Sequence, residues 1–206
     1  MTALTLQKAL EGLDLIIANA ERLYGEAVDL ESKKSPTATF LYAIAMEEMG
    51  KAFLLGGHIF GILNNEPINW HNFWKNFKSH KFKQGMMFKM ARLGQEFLYE
   101  FYEEIKQKKP ELLADYPNRD DALKKIDRLN AELSKTNEGI LEEIKWSSIY
   151  SRFDQRSHSW LIPEKFRESI FIKENFQTLL TDVNTFQESL LNRAGIKGRF
   201  KLTNEI

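Results

Sequence analysis

Cysteine is absent from the 206 residues. That excludes disulfides, thiolate metal sites, a cysteine nucleophile and thiol-based redox control, and it is compatible with a reducing cytosol. Net charge is absent as well, since 29 basic and 29 acidic side chains cancel. No bulk field therefore directs the chain toward nucleic acid or a membrane surface. The opening residues Met1 to Lys8 hold no basic region followed by an apolar core, so no signal peptide is expected. The longest apolar run is broken by Glu47, Glu48 and Lys51, so no membrane span is expected either, and the chain reads as cytoplasmic. No Gly-x-x-x-x-Gly-Lys-Ser/Thr run exists, which argues against switching by a bound nucleoside triphosphate.

Strand signals are also lacking: there is no alternating apolar pattern and no internal repeat. What is present is helical. Leu6, Leu10, Leu13, Ile17, Ala20, Tyr24 and Ala27 recur at three-and-four spacing and predict an amphipathic helix from Leu6 to Val28. Ser35 and Pro36 read as the cap and first residue of a second helix, which runs to about Leu63 and stops at Asn64-Asn65-Glu66-Pro67. A third long helix is expected over Lys83 to Gln107 and a fourth over Asp120 to Lys145. Trp146 to Ile162 shows no helical period, and Pro163 is positioned to open a last helix through Phe166 to Leu190. The pattern predicts an all-α fold, an antiparallel helical bundle with an additional C-terminal helix. Residues 1–194 form one domain in this reading and 195–206 a basic, loose tail.

The second helix carries the most informative feature. From Thr39 to Leu55 it is apolar nearly all round except for Glu47, Glu48 and Lys51. An all-round apolar helix is a buried one, and charge on it is costly unless paired. Glu47 and Lys51 stand four apart with the acid first, so they are expected to meet. Such a pair either holds the core together or serves a function, because burial and pairing also shift pKa values.

Acids are missing altogether between Trp70 and Gln95. That stretch holds Lys75, Lys78, Lys81, Lys83, Lys89 and Arg92 with His71 and His80, interleaved with Trp70, Phe73, Trp74, Phe77, Phe82 and Phe88. Cations bind phosphates and aromatics stack bases, which points to single-stranded RNA. The alternative is a short amphipathic helix from Trp70 to Phe77 that docks its aromatic face on the core and leaves its lysines solvated. The candidate RNA contacts are Lys75, Lys78, Lys81, Arg92 and Trp74. A metal is not expected, because the glutamates and histidines lack the paired Glu-x-x-His arrangement of helical di-iron bundles, and no cofactor is expected.

The run Ala43-Ile44-Ala45-Met46-Glu47-Glu48-Met49-Gly50-Lys51-Ala52, followed by Phe73-Trp74 and then His80 with Lys83, resembles the AbiV family of bacterial abortive-infection proteins, in the HEPN superfamily of small helical bundles. Asn19-Ala20 with Leu23, and Tyr150 ahead of Pro163, fit the same pattern, and the resemblance spans roughly Leu6 to Leu190. It implies phage defence by attacking or blocking RNA or translation, pairing into a homodimer, and activation by a phage-encoded protein. HEPN ribonucleases use an arginine followed a few residues later by a histidine, and Arg152 and His158 have that spacing here, in a segment without helical period.

RNA cleavage through the 2′-hydroxyl needs an acid, a base and a cation on the phosphate. His80 as proton carrier, Lys51 and Lys83 on phosphate, and Glu47 orienting one of them form a consistent set for a metal-independent ribonuclease. His58, seven residues after Lys51, lies on the same face and can join it. The competing reading is a non-catalytic helical protein that sequesters RNA, a ribosomal component or a phage protein.

Overall fold

The structure, a computed structural model, describes residues 3–33, 35–108, 118–149, 152–154, 159–161 and 170–196. Helix α1 (Leu6–Ser32) starts where the side chain of Thr5 accepts from the Lys8 amide, and it turns Ala9, Leu10, Leu13, Ile17, Ala20, Leu23 and Ala27 inward. A short link leads to α2 (Thr37–Leu63). Pro36 itself occupies the capping position there, and Ser35 contributes its carbonyl, which accepts from Ala38, rather than the expected side-chain cap.

The order continues with α3 (Trp70–Lys78), α4 (His80–Glu100), α5 (Tyr102–Lys108), α6 (Arg119–Glu138), α7 (Ile140–Ser147) and α8 (Ile170–Arg193). Two expected helices are thus each divided. The third begins at His80, because the Ser79 hydroxyl accepts from Phe82 N–H and caps it there, and it breaks at Phe101. The fourth is interrupted at Gly139, whose φ of 83° ends α6 in a left-handed residue, the conformation that favours glycine. Within the stretch expected to be irregular, Arg152–Asp154 and Ser159–Leu161 pair as short antiparallel strands β1 and β2, Phe153 opposite Trp160. The expected opening of the last helix at Pro163, with Phe166, lies outside the described residues, as do His158, Tyr150 and most of the basic tail.

Helix α2 is the axis of the bundle. It packs against α1, α4, α7 and α8, while α6 lies on α4 and α7. Met46, Met49, Phe53 and Ile59 of α2 meet Leu10, Leu13 and Ile17 of α1, Met87 and Phe88 of α4, and Phe176, Leu179 and Val183 of α8 in one core. Among the described residues no helix is long and apolar enough to cross a membrane.

Glycine sets how closely the helices approach α2. A Cβ on Gly50 would collide with the backbone carbonyl of Lys83 in α4, and one on Gly56 with the ring of Phe186 in α8. Gly50→Ala should therefore force α4 away from α2 and cost at least the 1–3 kcal/mol, roughly, of an overpacked core. That corresponds to a melting temperature lower by about 2–4 °C per kcal/mol. Gly25→Ala, where nothing lies within 4 Å of the added carbon, should raise it, since alanine is favoured over glycine in a helix by about 1 kcal/mol. Thermal unfolding of the two variants checks this, and equal melting temperatures would contradict the close approach at Gly50.

Candidate functional site

Three helices converge on one carboxylate. Glu47 comes from the middle of α2 and is 2% exposed. From α4 come His80, Lys83 and Gln84, at the three-and-four spacing that places them on one face. From α7 come Glu142, Lys145 and Trp146, at the same spacing.

Glu47 Oε2 lies 2.6 Å from His80 Nδ1. Its Oε1 accepts from Lys145 Nζ at 2.8 Å and from Gln84 Nε2 at 2.9 Å. Lys83 Nζ stands 3.7 Å from Oε2. Glu142 Oε1 accepts from Lys145 at 2.6 Å and from Gln84 at 3.0 Å, and its Oε2 accepts from the Trp146 indole N–H at 3.1 Å. An ionised carboxylate only accepts, so the His80 nitrogen facing Glu47 carries the ring proton. Lys145, 3.5 Å from that nitrogen and itself a donor, is a neighbour there and not a partner. The other ring nitrogen, Nε2, has no hydrogen-bond partner among the described residues, and half of the His80 side chain is exposed.

The cluster neutralises itself. Three carboxylates, Glu47, Glu48 and Glu142, face three ammonium groups, Lys51, Lys83 and Lys145. Lys145 is fully buried between two of those carboxylates. Burial alone would raise the Glu47 carboxyl; hydrogen bonds from Lys145 and His80 and the charge of the Lys145 ammonium outweigh it and hold the carboxyl below its usual value. Lys83 is pushed below the usual lysine value by burial, which the charge of Glu47 only partly offsets. Donor atoms of Glu47, His80 and Glu142 lie within 4.8 Å of one another, close enough to ligate one divalent ion. The place between the two carboxylates is held by the Lys145 ammonium, which supplies the positive charge there.

The structure brings together some of the residues singled out in the sequence and not others. Glu47, His80 and Lys83 are brought together. Lys51 is set apart: its partner is Glu48, three residues before it, and not Glu47. The spacing permitted either, and Glu47 is taken by α4 and α7. His58 does not join, because its Nδ1 is bound to the Leu54 carbonyl at 2.8 Å and its ring packs on Phe73. Lys75, Lys78 and Lys81 are exposed, on α3 and the first turn of α4. Arg92 lies further along α4, against Asn130 and Glu96. Trp74 is half-buried, edge-on to Phe73 and Phe77, so the aromatic face of α3 docks on the core. Arg152 sits on strand β1, not on a helix, and His158 is outside the described residues.

Gln84, Glu142 and Lys145 were not singled out from sequence. Lys145 did carry a signal, since it falls four residues after Leu141, inside the apolar stripe Ile140, Leu141, Ile144 where a solvated lysine does not belong.

Removing one member of this buried network strands the others. Lys145→Met should cost about 3–5 kcal/mol by leaving buried carboxylates uncompensated. Because Glu47 is more acidic folded than unfolded, its contribution to stability is complete above its usual value of 4.5 and is lost as pH falls through the lowered value. Glu47→Gln should start less stable and lose that part of the acid sensitivity. Denaturant unfolding followed across pH 3 to 7, roughly the carboxylate range, checks both; parallel pH profiles for wild type and Glu47→Gln would contradict the assignment.

The family model described as AbiV, HEPN_AbiV, matches residues 8–179. No curated protein and no solved structure matches the chain. The matched span contains all of Glu47, His80, Lys83, Gln84, Glu142 and Lys145, so the converging cluster lies within the part the family shares. With most of its length matched and a helical bundle as its fold, the chain belongs to the AbiV family of abortive-infection proteins, in the HEPN superfamily.

Proposed function

We propose that this member of a phage-defence family acts on RNA or on translation inside the infected cell, in the cytoplasm, with His80 as its proton carrier. The observation that carries the reading is the 2.6 Å contact between Glu47 and His80 Nδ1. A buried carboxylate that fixes the tautomer and angle of a half-exposed imidazole is the arrangement a general base needs. Nε2 would take the proton of a ribose 2′-hydroxyl as that oxygen attacks the adjacent phosphorus, and the same proton can pass to the departing 5′-oxygen.

Phosphate charge would be met by exposed Lys75, Lys78 and Lys81, which flank His80 in the chain, and by Lys51, whose side chain is 23% exposed. Lys83, at 5%, is too buried to meet a phosphate and serves instead to hold Glu47. The second reading, sequestration of RNA, a ribosomal component or a phage protein without cleavage, is favoured by one observation. Of Glu47, Lys83, Lys145 and His80 only the imidazole reaches the surface, so a single proton carrier is available there.

Activation by a phage-encoded protein fits an effector that must be silent in healthy cells. Purified protein incubated with total RNA and ribosomes should be inert alone and active on adding lysate from infected cells. His80→Ala should then lower cleavage by about 10²–10⁴-fold, the usual worth of a positioned acid–base group, with RNA binding retained. Loss of binding together with protection, and no cleavage by wild type, would select sequestration. Wild-type protection from His80→Ala would remove the catalytic reading.

A homodimer is the proposed assembly, closed two-fold pairing being the commonest kind. Exposed Leu93, Phe101 and Leu123 lie on α4, on the turn after it and on α6, two helices that pack together, and they support it. Sedimentation should give twice the chain mass of 24.1 kDa; a single species of one chain mass at micromolar concentration would overturn it.

A further inference from the structure

We propose that Trp146, flanked by Phe40, is the platform on which one nucleobase of a single-stranded RNA stacks when its phosphate lies at His80. The inference rests on the RNA reading above and names what that site recognises besides phosphate.

Trp146 is in the last turn of α7 and 47% exposed, an unusual position for an indole beside a buried charge network. Its N–H donates to Glu142 Oε2 at 3.1 Å. Glu142 is in turn held by Lys145 and Gln84, both of which also hold Glu47. The ring is thus tied to a carboxylate that shares two donors, Lys145 and Gln84, with the carboxylate that sets the angle of His80. The Lys145 ammonium lies 5.2 Å from the indole centroid on one side and 3.5 Å from His80 Nδ1 on the other. Indole and imidazole are therefore within about 9 Å of each other, a span that one nucleotide can bridge.

Phe40 completes the wall. It stands two helical turns before Glu47, on the same face of α2, and its ring centre is 6.1 Å from that of Trp146 at a tilt of 49°. A half-exposed aromatic within about 9 Å of a proton carrier fits single-strand sites, where stacking holds bases and cations follow the backbone. The aromatics of α3, Trp74 among them, are turned toward the core around buried Phe73, whereas Trp146 is half-exposed.

The test is equilibrium binding of the full chain, by fluorescence anisotropy, to a labelled mixed-sequence oligoribonucleotide and to the same length carrying abasic residues. Trp146→Ala should weaken binding of the intact strand about tenfold, as loss of one stacked base does. Trp146→Phe should keep most of the affinity. The abasic strand should bind wild type about as weakly as the intact strand binds Trp146→Ala. Lys78→Ala should weaken both strands alike, since a phosphate contact does not distinguish them.

Equal binding of intact and abasic strands by wild type overturns the platform, whatever the variants do, and leaves the role of His80 standing. So does a folded Trp146→Ala protein that binds the intact strand as wild type does. Failure of wild type to bind either strand overturns the RNA reading and the platform together. Unimpaired protection by His80→Ala, with the intact strand still preferred over the abasic one, overturns the His80 reading and leaves the platform.

Discussion

A single carboxylate, that of Glu47, determines how α4 and α7 sit on the central helix. An ionised group at 2% exposure is tolerated only when its charge is compensated and its lone pairs are occupied. Here the compensation comes from two other helices, so the electrostatic requirement of one side chain becomes a constraint on tertiary structure. His80 and Gln84 reach it from α4, and Lys145 reaches it from α7 across 98 residues of chain. The apolar core would admit many small adjustments of these helices. The carboxylate admits few, because each displacement lengthens a charged hydrogen bond in a region from which water is excluded.

Two glycines make that convergence geometrically available. Gly50 lets the α4 backbone approach α2 at Lys83, one turn of α4 from His80. Gly139, in a left-handed conformation, ends α6 and lets α7 start in a new direction, with Glu142, Lys145 and Trp146 toward α2 and α4. The short reach of a carboxylate and the small size of glycine are complementary. Without the close approach the buried charge would be stranded, and without the charge the close approach would only trim the core.

Function, in the proposed reading, uses the half-exposed imidazole of this network. Five polar side chains are held inside or at its edge so that one imidazole is presented at the surface with a defined tautomer. The arrangement separates the roles that a catalytic or recognition site must combine: buried groups hold geometry, an exposed ring meets the ligand, and surrounding lysines supply the field.

The helical nature of the chain, the start of α1, the limits of α2 and the burial of Glu47 were legible in the order of residues, whereas the aromatic face of α3 allowed both docking on the core and base contacts. Each follows from periodicity or from the cost of charge on an apolar helix, and neither depends on which helix lies next door. The motif Glu-Glu-x-Gly-Lys also carried the family. What the sequence left open was pairing. Glu47 and Glu48 stand four and three residues before Lys51, spacings that a helix treats almost alike, and only the presence of His80 and Lys145 beside Glu47 leaves Glu48 to Lys51. Likewise a lysine inside the apolar stripe of α7 is only half explained by its local partner Glu142. Its second partner, Glu47, is distant in the chain, and local spacing holds no information about contacts that close only when helices pack. Sequence by itself determined the helical character of the chain and the charge that had to be buried; the tertiary structure alone decided which opposite charges met it, because burial is a local cost whereas compensation is a long-range one.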